Sequence, residues 1–208
     1  STPTTSSAAS DVYKRQTSKC WTTRISLLTG LYHHRSDRNF INTALVGEIL
    51  KPAGYHTFWA GKHHANFNPH ERGFDHFSGF LGGAINFWNP GEQARFGENA
   101  PGWRAVYTWA FDEELVKPYH PPKGFYATDA FTDWSLKWLE EKKGNDSPFF
   151  LFLSYNAPHW PLHAHPKDIA KYDGFYDLGY EAIRKARYRR QIKDCLLYTS
   201  PSPRDAIP

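Results

Sequence analysis

The stretch of sequence that decides the fold is residues 20–32, which reads CWTTRISLLTGLY. Its residue types predict a helix from Cys20 to Leu31, which Gly30 would close because glycine readily adopts the left-handed conformation at helix ends. The polar residues that could cap its start are Thr17 and Ser18. Its apolar side would consist of Ile25, Leu27 and Leu28. The segment therefore predicts an amphipathic helix that begins at a cysteine.

The start of this predicted helix combines a thiol with a cation. Arg24 lies one turn after Cys20 and returns to the same face of the helix. Unpaired N–H groups at a helix start attract an anion, and a guanidinium beside them strengthens such a site. From these residue types alone, a buried structural cysteine beside a surface arginine is the simpler interpretation. The pair is a candidate anion site that needs support from the rest of the chain.

The remaining pattern indicates an α/β layered domain. The predicted elements are a helix capped by Asn42 and ending near Lys51, a strand from Tyr55 to Ala60, an irregular stretch over 71–116, a helix from Tyr126 to Lys143, a central strand from Phe149 to Tyr155, and a helix from about Leu178 to Arg190. We expect a sheet between helices, with ligands bound beyond the carboxyl ends of its strands. The side chains that follow predicted strands at that edge are Lys62, His64 and His159.

The composition indicates a folded protein and argues against several other classes. Apolar residues make up 40% of the 208 residues and aromatic residues 17%, which is enough for a core. The two cysteines are too few for a disulfide framework, and the longest apolar run, residues 149–153, is too short to span a membrane. The formal net charge of +4 includes a basic cluster over 184–190, which we interpret as a solvated helix face. We therefore expect no membrane span and no nucleic acid among its partners.

Four segments, taken in order, carry a resemblance to a known family. The first has Cys20, Arg24 and the run Leu28-Thr29-Gly30, and the other three are Gly61-Lys62-His63-His64, Arg72-Gly73-Phe74-Asp75, and residues 154–162, which read SYNAPHWPL. Their types, spacing and order resemble the signature of the formylglycine-dependent sulfatases, of the arylsulfatase type. The resemblance implies an alkaline phosphatase-like fold, with a sheet sandwiched between helices.

The resemblance also implies a mechanism and a role for each site residue. In sulfatases a formylglycine-generating enzyme oxidises the cysteine, here Cys20, to an aldehyde whose hydrate attacks the sulfur of a sulfate ester with the help of Ca²⁺. The modified Cys20 would also contact that metal, and Arg24 would hold the hydrate. Lys62 would bind a sulfate oxygen, His64 would accept a proton from the second hydroxyl, and His159 would contact the sulfate and assist the leaving oxygen. His63 stands where the family has Trp, and no role follows for it.

Several features depart from the family pattern. Residues 10–16 and 195–205 resemble translated adaptor sequence, so we expect a non-native or disordered leader over 1–16, a partial catalytic domain over 17–193 and a non-native tail over 194–208. The family's first strand with paired aspartates, and its later Asp-Asn pair, have no counterpart among these residues. We therefore expect an internal fragment, inactive alone, of a calcium-dependent enzyme. The resemblance favours a periplasmic or extracellular location.

Two alternatives to a sulfatase remain open at the level of the sequence. A phosphonate monoester or phosphodiester hydrolase of the same superfamily shares the fold and in some cases the signature. A non-catalytic, sulfatase-like protein is the other alternative, because Thr22 stands where the modification signature has Pro or, less often, Ala. The substrate expected under the leading interpretation is a small sulfate ester or a sulfated glycan.

Overall fold

The computed structural model describes residues 19–36, 40, 42–92 and 106–194. Contacts divide the chain into one unit over 18–163 and a second unit formed by 1–17 together with 164–208. The expected leader and all of the expected tail after Asp194 lie outside the described residues, as do the two proposed caps, Thr17 and Ser18. All five predicted site residues belong to the first unit.

The first unit is built on a five-stranded sheet. Its strands are β1 His56–Lys62, β2 His76–Phe80, β3 Trp109–Phe111, β4 Glu114–Val116 and β5 Phe149–Ser154. They lie in the order β4-β3-β2-β1-β5, so β1 runs between β2 and β5 and is parallel to both. The two short strands β3 and β4 continue the sheet in antiparallel fashion beyond β2. The carboxyl ends of β1, β2 and β5 therefore meet at one edge of the sheet.

Helices cover both faces of this sheet. The helices of the first unit are α1 Cys20–Thr29, α2 Val46–Leu50 and α3 Ala127–Glu141. Successive residues of β1 point to opposite faces, so Phe58 packs with Phe131 of α3 while Trp59 packs with Ile25 of α1. The prediction of an α/β fold with a sheet between helices is confirmed.

The second unit is helical where the structure describes it. It contains α4 Pro166–Ile169, a short 3₁₀ turn over Ala170–Tyr172, and α5 Tyr180–Lys193. The predicted helix near Leu178 to Arg190 is therefore confirmed with a shift of two to three residues at each end. None of the residues of α5 is buried within the described chain. No helix in the described residues is both long and apolar enough to cross a membrane.

The first helix matches its prediction at its ends but not on its whole apolar side. Gly30 closes α1 with a φ of +70°, and its N–H donates to the carbonyl of Ser26. Ile25 and Leu28 are buried, whereas Leu27 is 58% exposed, so the expectation for Leu27 is wrong. Ile25 and Leu28 are three positions apart and share a helix face, whereas Leu27 is two positions from Ile25 and does not share that face, which explains its exposure.

The second helix is shorter than predicted and begins elsewhere. It starts after Leu45, whose N–H donates to the carboxylate of Glu48 at 2.8 Å, and a 3₁₀ turn over Lys51–Ala53 continues it. Asn42 lies in a turn with a φ of +59°, so the proposed cap is wrong. Leu45 is fully buried, whereas Ile49 is exposed, against the expected apolar face.

The sheet itself also corrects two expectations. The stretch over 71–116, predicted as irregular, supplies β2, β3 and β4. The predicted central strand forms as β5, but within the described residues it lies at the edge of the sheet, and Phe149 is 55% exposed. An apolar run shows that a strand has apolar side chains on both faces, but it does not encode which neighbours pair with that strand.

Candidate active site

The candidate site forms where the start of α1 meets the carboxyl end of β1. Cys20 is the first residue of α1, and its Sγ lies 3.1 Å from Nδ1 of His64. Two threonine hydroxyls, those of Thr22 and Thr23, donate to the carbonyl of Lys19 at 2.8 and 3.0 Å. These two hydrogen bonds stabilise the backbone just before the helix. The N–H groups of the first helical turn point toward the end of the helix at which Cys20 lies.

Lys62 is the last residue of β1 and the first of two cations that interact with this thiol. Its side chain is almost fully buried, with 2% of the residue exposed, and its charge interacts with the side chain of Cys20. Burial lowers the pKa of the ammonium and the charge of Arg24 lowers it further, while the negative charge that Cys20 can carry opposes both effects. A buried ammonium in this position favours an anion at the place of the Cys20 sulfur.

Arg24 is hydrogen-bonded to the ends of β1 and β5. Its Nη1 donates to the carbonyl of Lys62 at 2.8 Å and also hydrogen-bonds the hydroxyl of Ser154. Burial lowers the pKa of this guanidinium to about 10, while Cys20 acts in the other direction. The guanidinium therefore stays charged at neutral pH, and two cations adjoin one thiol.

Backbone geometry brings His64 to the thiol. Gly61 has a φ of +108° and His64 a φ of +69°, so the chain turns sharply as it leaves β1. A Cβ at Gly83 would lie 2.7 Å from Nε2 of His64, so the ring packs where only glycine leaves room. A non-glycine residue with positive φ is uncommon and costs of order 1 kcal/mol or more, which fits a position with a function.

A cavity of about 310 Å³ borders His64. The residues that line it include Asn66, Gly82, Gly83, Tyr107, Thr108 and Lys117. Beside the imidazole of His64, the lining supplies the aromatic ring of Tyr107, the hydroxyl of Thr108 and the ammonium of Lys117. Such a lining suits a polar ligand better than an apolar one.

His159 lies at the same edge of the sheet but in a different local environment. It follows β5, the parallel neighbour of β1, and its Nδ1 lies 2.6 Å from the carbonyl oxygen of Trp160. A carbonyl only accepts, so Nδ1 donates and Nε2 is the acceptor in the neutral ring. The structure thus brings Cys20, Arg24, Lys62 and His64 into one cluster, whereas the hydrogen bond of His159 is to its own turn.

His63, to which the sequence assigns no role, is the most unusual group near the cluster. It is 1% exposed, its ring stacks on Trp59 at 4.8 Å, and it meets Phe67 edge-on. Neither ring nitrogen has a hydrogen-bond partner within the described residues. Burial lowers its pKa well below the ordinary value of 6.5, and the charges of Arg24 and His64 act in the same direction. His63 is therefore neutral at neutral pH.

The described residues do not fit a calcium site by themselves. No group of three or more His, Cys, Asp and Glu side chains that could hold a metal occurs in the part of the chain that the structure describes. The groups that adjoin Cys20 are two cations and an imidazole, whereas calcium prefers several oxygen ligands.

Two contributors to the site have no role that the sequence alone assigns. Ser154 ends β5 and bonds Arg24, and Gly83 makes room for His64. Ser154 is the first residue of the fourth family segment, but the resemblance assigns it no role, and a polar residue at the end of an apolar strand is common. Gly83 carries no local signal, since its partner lies in another segment.

Known proteins match most of this chain. A family model described as Sulfatase matches residues 6–200. The chain is 32% identical over 149 residues to an arylsulfatase of Klebsiella aerogenes, covering 70% of this chain and 30% of that protein. It is 34% identical over 173 residues to an uncharacterized sulfatase of Schizosaccharomyces pombe, covering 79% of this chain and 30% of that protein. The chain therefore spans about 30% of the length of these curated relatives.

Solved structures give the same result for the fold. The crystal structure of Ps i-CgsB in complex with k-i-k-neocarrahexaose matches with a TM-score of 0.56 and 26% identity, over 73% of this chain and 37% of that one. The structure of BT4656 in complex with its substrate D-glucosamine-2-N,6-O-disulfate matches with a TM-score of 0.53 and 22% identity, over 74% of this chain and 28% of that one. At that identity the second likeness concerns the fold alone.

Proposed function

The chain belongs to the sulfatase family, and we propose on this basis that the protein hydrolyses a sulfate ester through a nucleophile derived from Cys20. The observation that carries the proposal is the cluster at the start of α1. Sγ of Cys20 lies 3.1 Å from His64, and the cations of Lys62 and Arg24 adjoin it. A sulfate ester spreads negative charge over its oxygens, so a buried array of fixed cations stabilises it where charge develops.

The nucleophile we propose is the hydrate of formylglycine, formed when a separate generating enzyme oxidises Cys20. One hydroxyl of the hydrate bonds to sulfur while the bond from sulfur to the ester oxygen breaks, and the alcohol leaves with a proton. The second hydroxyl then gives its proton to His64, the bond between carbon and the sulfate oxygen breaks, and the aldehyde returns as sulfate departs. The 3.1 Å contact of His64 with Sγ supports its role, because the hydrate would occupy the place of the thiol.

Lys62 and Arg24 would act on the sulfate and on the hydrate respectively. Lys62 is positioned by β1 and Arg24 by the helix start, so neither needs to reorganise when substrate binds. We propose that His159, which follows β5 at the same edge of the sheet, contacts the sulfate and assists the leaving oxygen. Because the carbonyl of Trp160 holds Nδ1, the proton for the leaving oxygen would come from Nε2 of the protonated ring. Calcium would assist in the whole protein and touch modified Cys20, but the other ligands that it needs are absent from the described residues.

We further propose a sulfated glycan as the substrate class. Ps i-CgsB was solved with an oligosaccharide, k-i-k-neocarrahexaose, and shares 26% of its residues with this chain where the two match. The cavity beside His64 supports the proposal, because the ring of Tyr107 and the ammonium of Lys117 could contact a sugar and a second acidic group. Ring stacking and ion pairing are the two contacts that an anionic sugar makes most readily.

Two competing functions have an observation in their favour. The cluster recognises charge rather than sulfur, so a phosphonate monoester or phosphodiester would also fit it. Activity of the whole protein on aryl sulfate compared with aryl phosphate esters separates these substrates. A non-catalytic protein is favoured by Thr22, which replaces Pro or Ala in the segment that the modifying enzyme reads.

The decisive experiment is mass spectrometry of the Cys20 peptide after coexpression of the chain with a formylglycine-generating enzyme. We expect a fraction of the peptide to carry an aldehyde in place of the thiol. Peptide that remains entirely as thiol would contradict the proposed nucleophile and favour the non-catalytic alternative.

Thr22→Pro is the matched variant for this test. Position 22 lies in the first turn of α1, where the backbone N–H has no partner within the helix, so proline fits there. We expect this variant to raise the modified fraction severalfold. If only Thr22→Pro is modified, Thr22 blocks the modification in the natural chain. If neither is modified, Cys20 is not a formylglycine precursor.

A further inference from the structure

The backbone carbonyl of Lys62 accepts hydrogen bonds from three different elements of the candidate site. It accepts hydrogen bonds from Nη1 of Arg24 at 2.8 Å, from the hydroxyl of Ser154 at 2.9 Å and from Nε1 of Trp59 at 3.3 Å. These donors come from α1, β5 and β1, so one backbone group joins three elements. A carbonyl has two lone-pair directions, and three donors saturate it.

The direction of each hydrogen bond around Ser154 follows from the chemistry of the groups. Arg24 has only donors, so the hydroxyl oxygen of Ser154 must accept from Nη1. The carbonyl of Lys62 only accepts, so the single hydroxyl hydrogen must point to it. Ser154 therefore has one arrangement that satisfies both neighbours, and an apolar residue in its place would satisfy neither.

The backbone leaves Ser154 no freedom to move away. It is 5% exposed and pairs with Gly61 in the register of β1 and β5. A Cβ at Gly61 would lie 2.2 Å from the carbonyl oxygen of Ser154, so the two strands approach where only glycine permits it. The close approach of the two strands therefore fixes the backbone that carries the hydroxyl.

These hydrogen bonds determine which donors of the Arg24 guanidinium remain for a ligand. Its Nη1 has two hydrogens, and both have partners, one in Lys62 and one in Ser154. The donors that remain are those of Nε and Nη2, which lie side by side on one edge of the planar group. Such an edge matches two oxygens of a tetrahedral anion and makes a bidentate contact with it.

We propose that Ser154 is a positioning residue, which fixes Arg24 so that its Nε and Nη2 edge faces the anion at the start of α1. This inference rests on the proposed function, because it assigns the anion site to Arg24. Arginine has several rotatable bonds, and fixing them before binding removes an entropic cost that would otherwise weaken the anion contact.

The test measures the affinity of the whole chain for inorganic sulfate by titration calorimetry at constant ionic strength. We expect Ser154→Ala to weaken sulfate binding by about tenfold and Arg24→Gln by more than that. In the Arg24→Gln background we expect Ser154→Ala to change the affinity by less than about twofold, because Ser154 acts only through Arg24.

Ser135→Ala is the matched control, since Ser135 is also a buried serine but its hydroxyl donates to the carbonyl of Phe131 within α3. We expect it to leave the sulfate affinity within about twofold of the natural chain. If Ser154→Ala behaves like Ser135→Ala while Arg24→Gln still weakens binding, the inference about Ser154 is wrong and the proposed anion site stands. If the natural chain does not bind sulfate, or if Arg24→Gln changes nothing, the anion site itself fails.

A second measurement does not depend on the folding of Ser154→Ala. In the natural chain, nitrogen-15 NMR reports the exchange of the guanidinium hydrogens of Arg24 with water. We expect slow rotation and slow exchange at Nη1, which Lys62 and Ser154 hold, and faster exchange at Nη2. Equal, fast exchange at both nitrogens would overturn the positioning role.

Discussion

At the scale of single residues, the candidate site places two cations next to the thiol of Cys20 in a buried environment. Lys62 and Arg24 both have a lowered pKa because burial disfavours their charged forms. An anion at the position of Cys20 would relieve that cost, which is the electrostatic reason to expect that such a cluster binds one. Burial opposes the protonation of neighbouring histidines for the same reason.

His63 provides a prediction about pH at this scale. Its pKa in the folded chain lies well below 6.5, so below that pH the unfolded chain binds more protons and stability falls as the pH is lowered. The ring faces Trp59, Phe67 and Phe77, and the nearby charges are those of Arg24 and His64. We expect His63→Phe to lose less stability than the natural chain between pH 7 and pH 5.

Denaturant unfolding at several pH values measures this effect. Between pH 7 and pH 5, the natural chain should lose at most about 2 kcal/mol more of its free energy of unfolding than His63→Phe does, since the pKa of histidine in the unfolded chain lies near 6.5. His70→Gln serves as the control, because it removes a histidine outside this aromatic cluster. Parallel pH curves for the natural chain and His63→Phe would mean that His63 does not take up the proton.

At the scale of elements, the carboxyl end of β1 does more than any other segment to build the site. Within a few residues it supplies a buried ammonium, a backbone acceptor for Arg24 and, after a sharp turn, the imidazole of His64. Gly61 makes the turn compatible with a tight approach of β5. The site therefore depends on the close packing of two parallel strands at their ends.

Gly61→Ala tests this packing. The new Cβ would lie 2.2 Å from the carbonyl oxygen of Ser154, and the φ of +108° disfavours any side chain. We expect a loss of at least about 3 kcal/mol in the free energy of unfolding, or failure to fold, as measured by denaturant titration. Gly144→Ala is the matched control, because Gly144 also has a positive φ, +82°, but a Cβ added there would meet no atom within 4 Å. It should cost only about 1 kcal/mol, and equal effects of the two variants would refute the close approach.

At the scale of the whole first unit, two aromatic clusters hold helices on the two faces of one sheet. Trp138 of α3 stacks on Phe58 at 5.9 Å and on His76 at 5.6 Å, and so joins the helix to both β1 and β2. On the other face, Trp59 packs among the residues that support α1. Loss of either cluster would let the sheet and its helices separate.

Trp138→Ala measures the contribution of the first cluster. We expect it to lower the free energy of unfolding by about 3–5 kcal/mol, because a large buried side chain is removed and a cavity remains. Leu136→Ala is the control on the same helix, since Leu136 is 58% exposed, and it should change stability by less than about 1 kcal/mol. A loss below about 1 kcal/mol for Trp138→Ala would show that this cluster does not hold α3 to the sheet.

The sequence by itself determined the local features of this protein. Local signals were sufficient for the helix that begins at Cys20 and ends at Gly30, for the long helix after Tyr126, and for the strands that precede Lys62 and follow Pro148. The order of its motifs was also enough to identify the family, because a signature lies within short stretches of chain.

Only the tertiary structure decided which side chains meet. Ser154 is 92 residues from Lys62 and 130 from Arg24, and no local pattern predicts that these three groups share hydrogen bonds. The edge position of β5 among the described strands, the exposure of Leu27 and the buried ring of His63 likewise depend on strand pairing and on packing across the sheet. Periodicity gives the apolar side of an element, whereas the identity of its neighbours is a property of the whole fold.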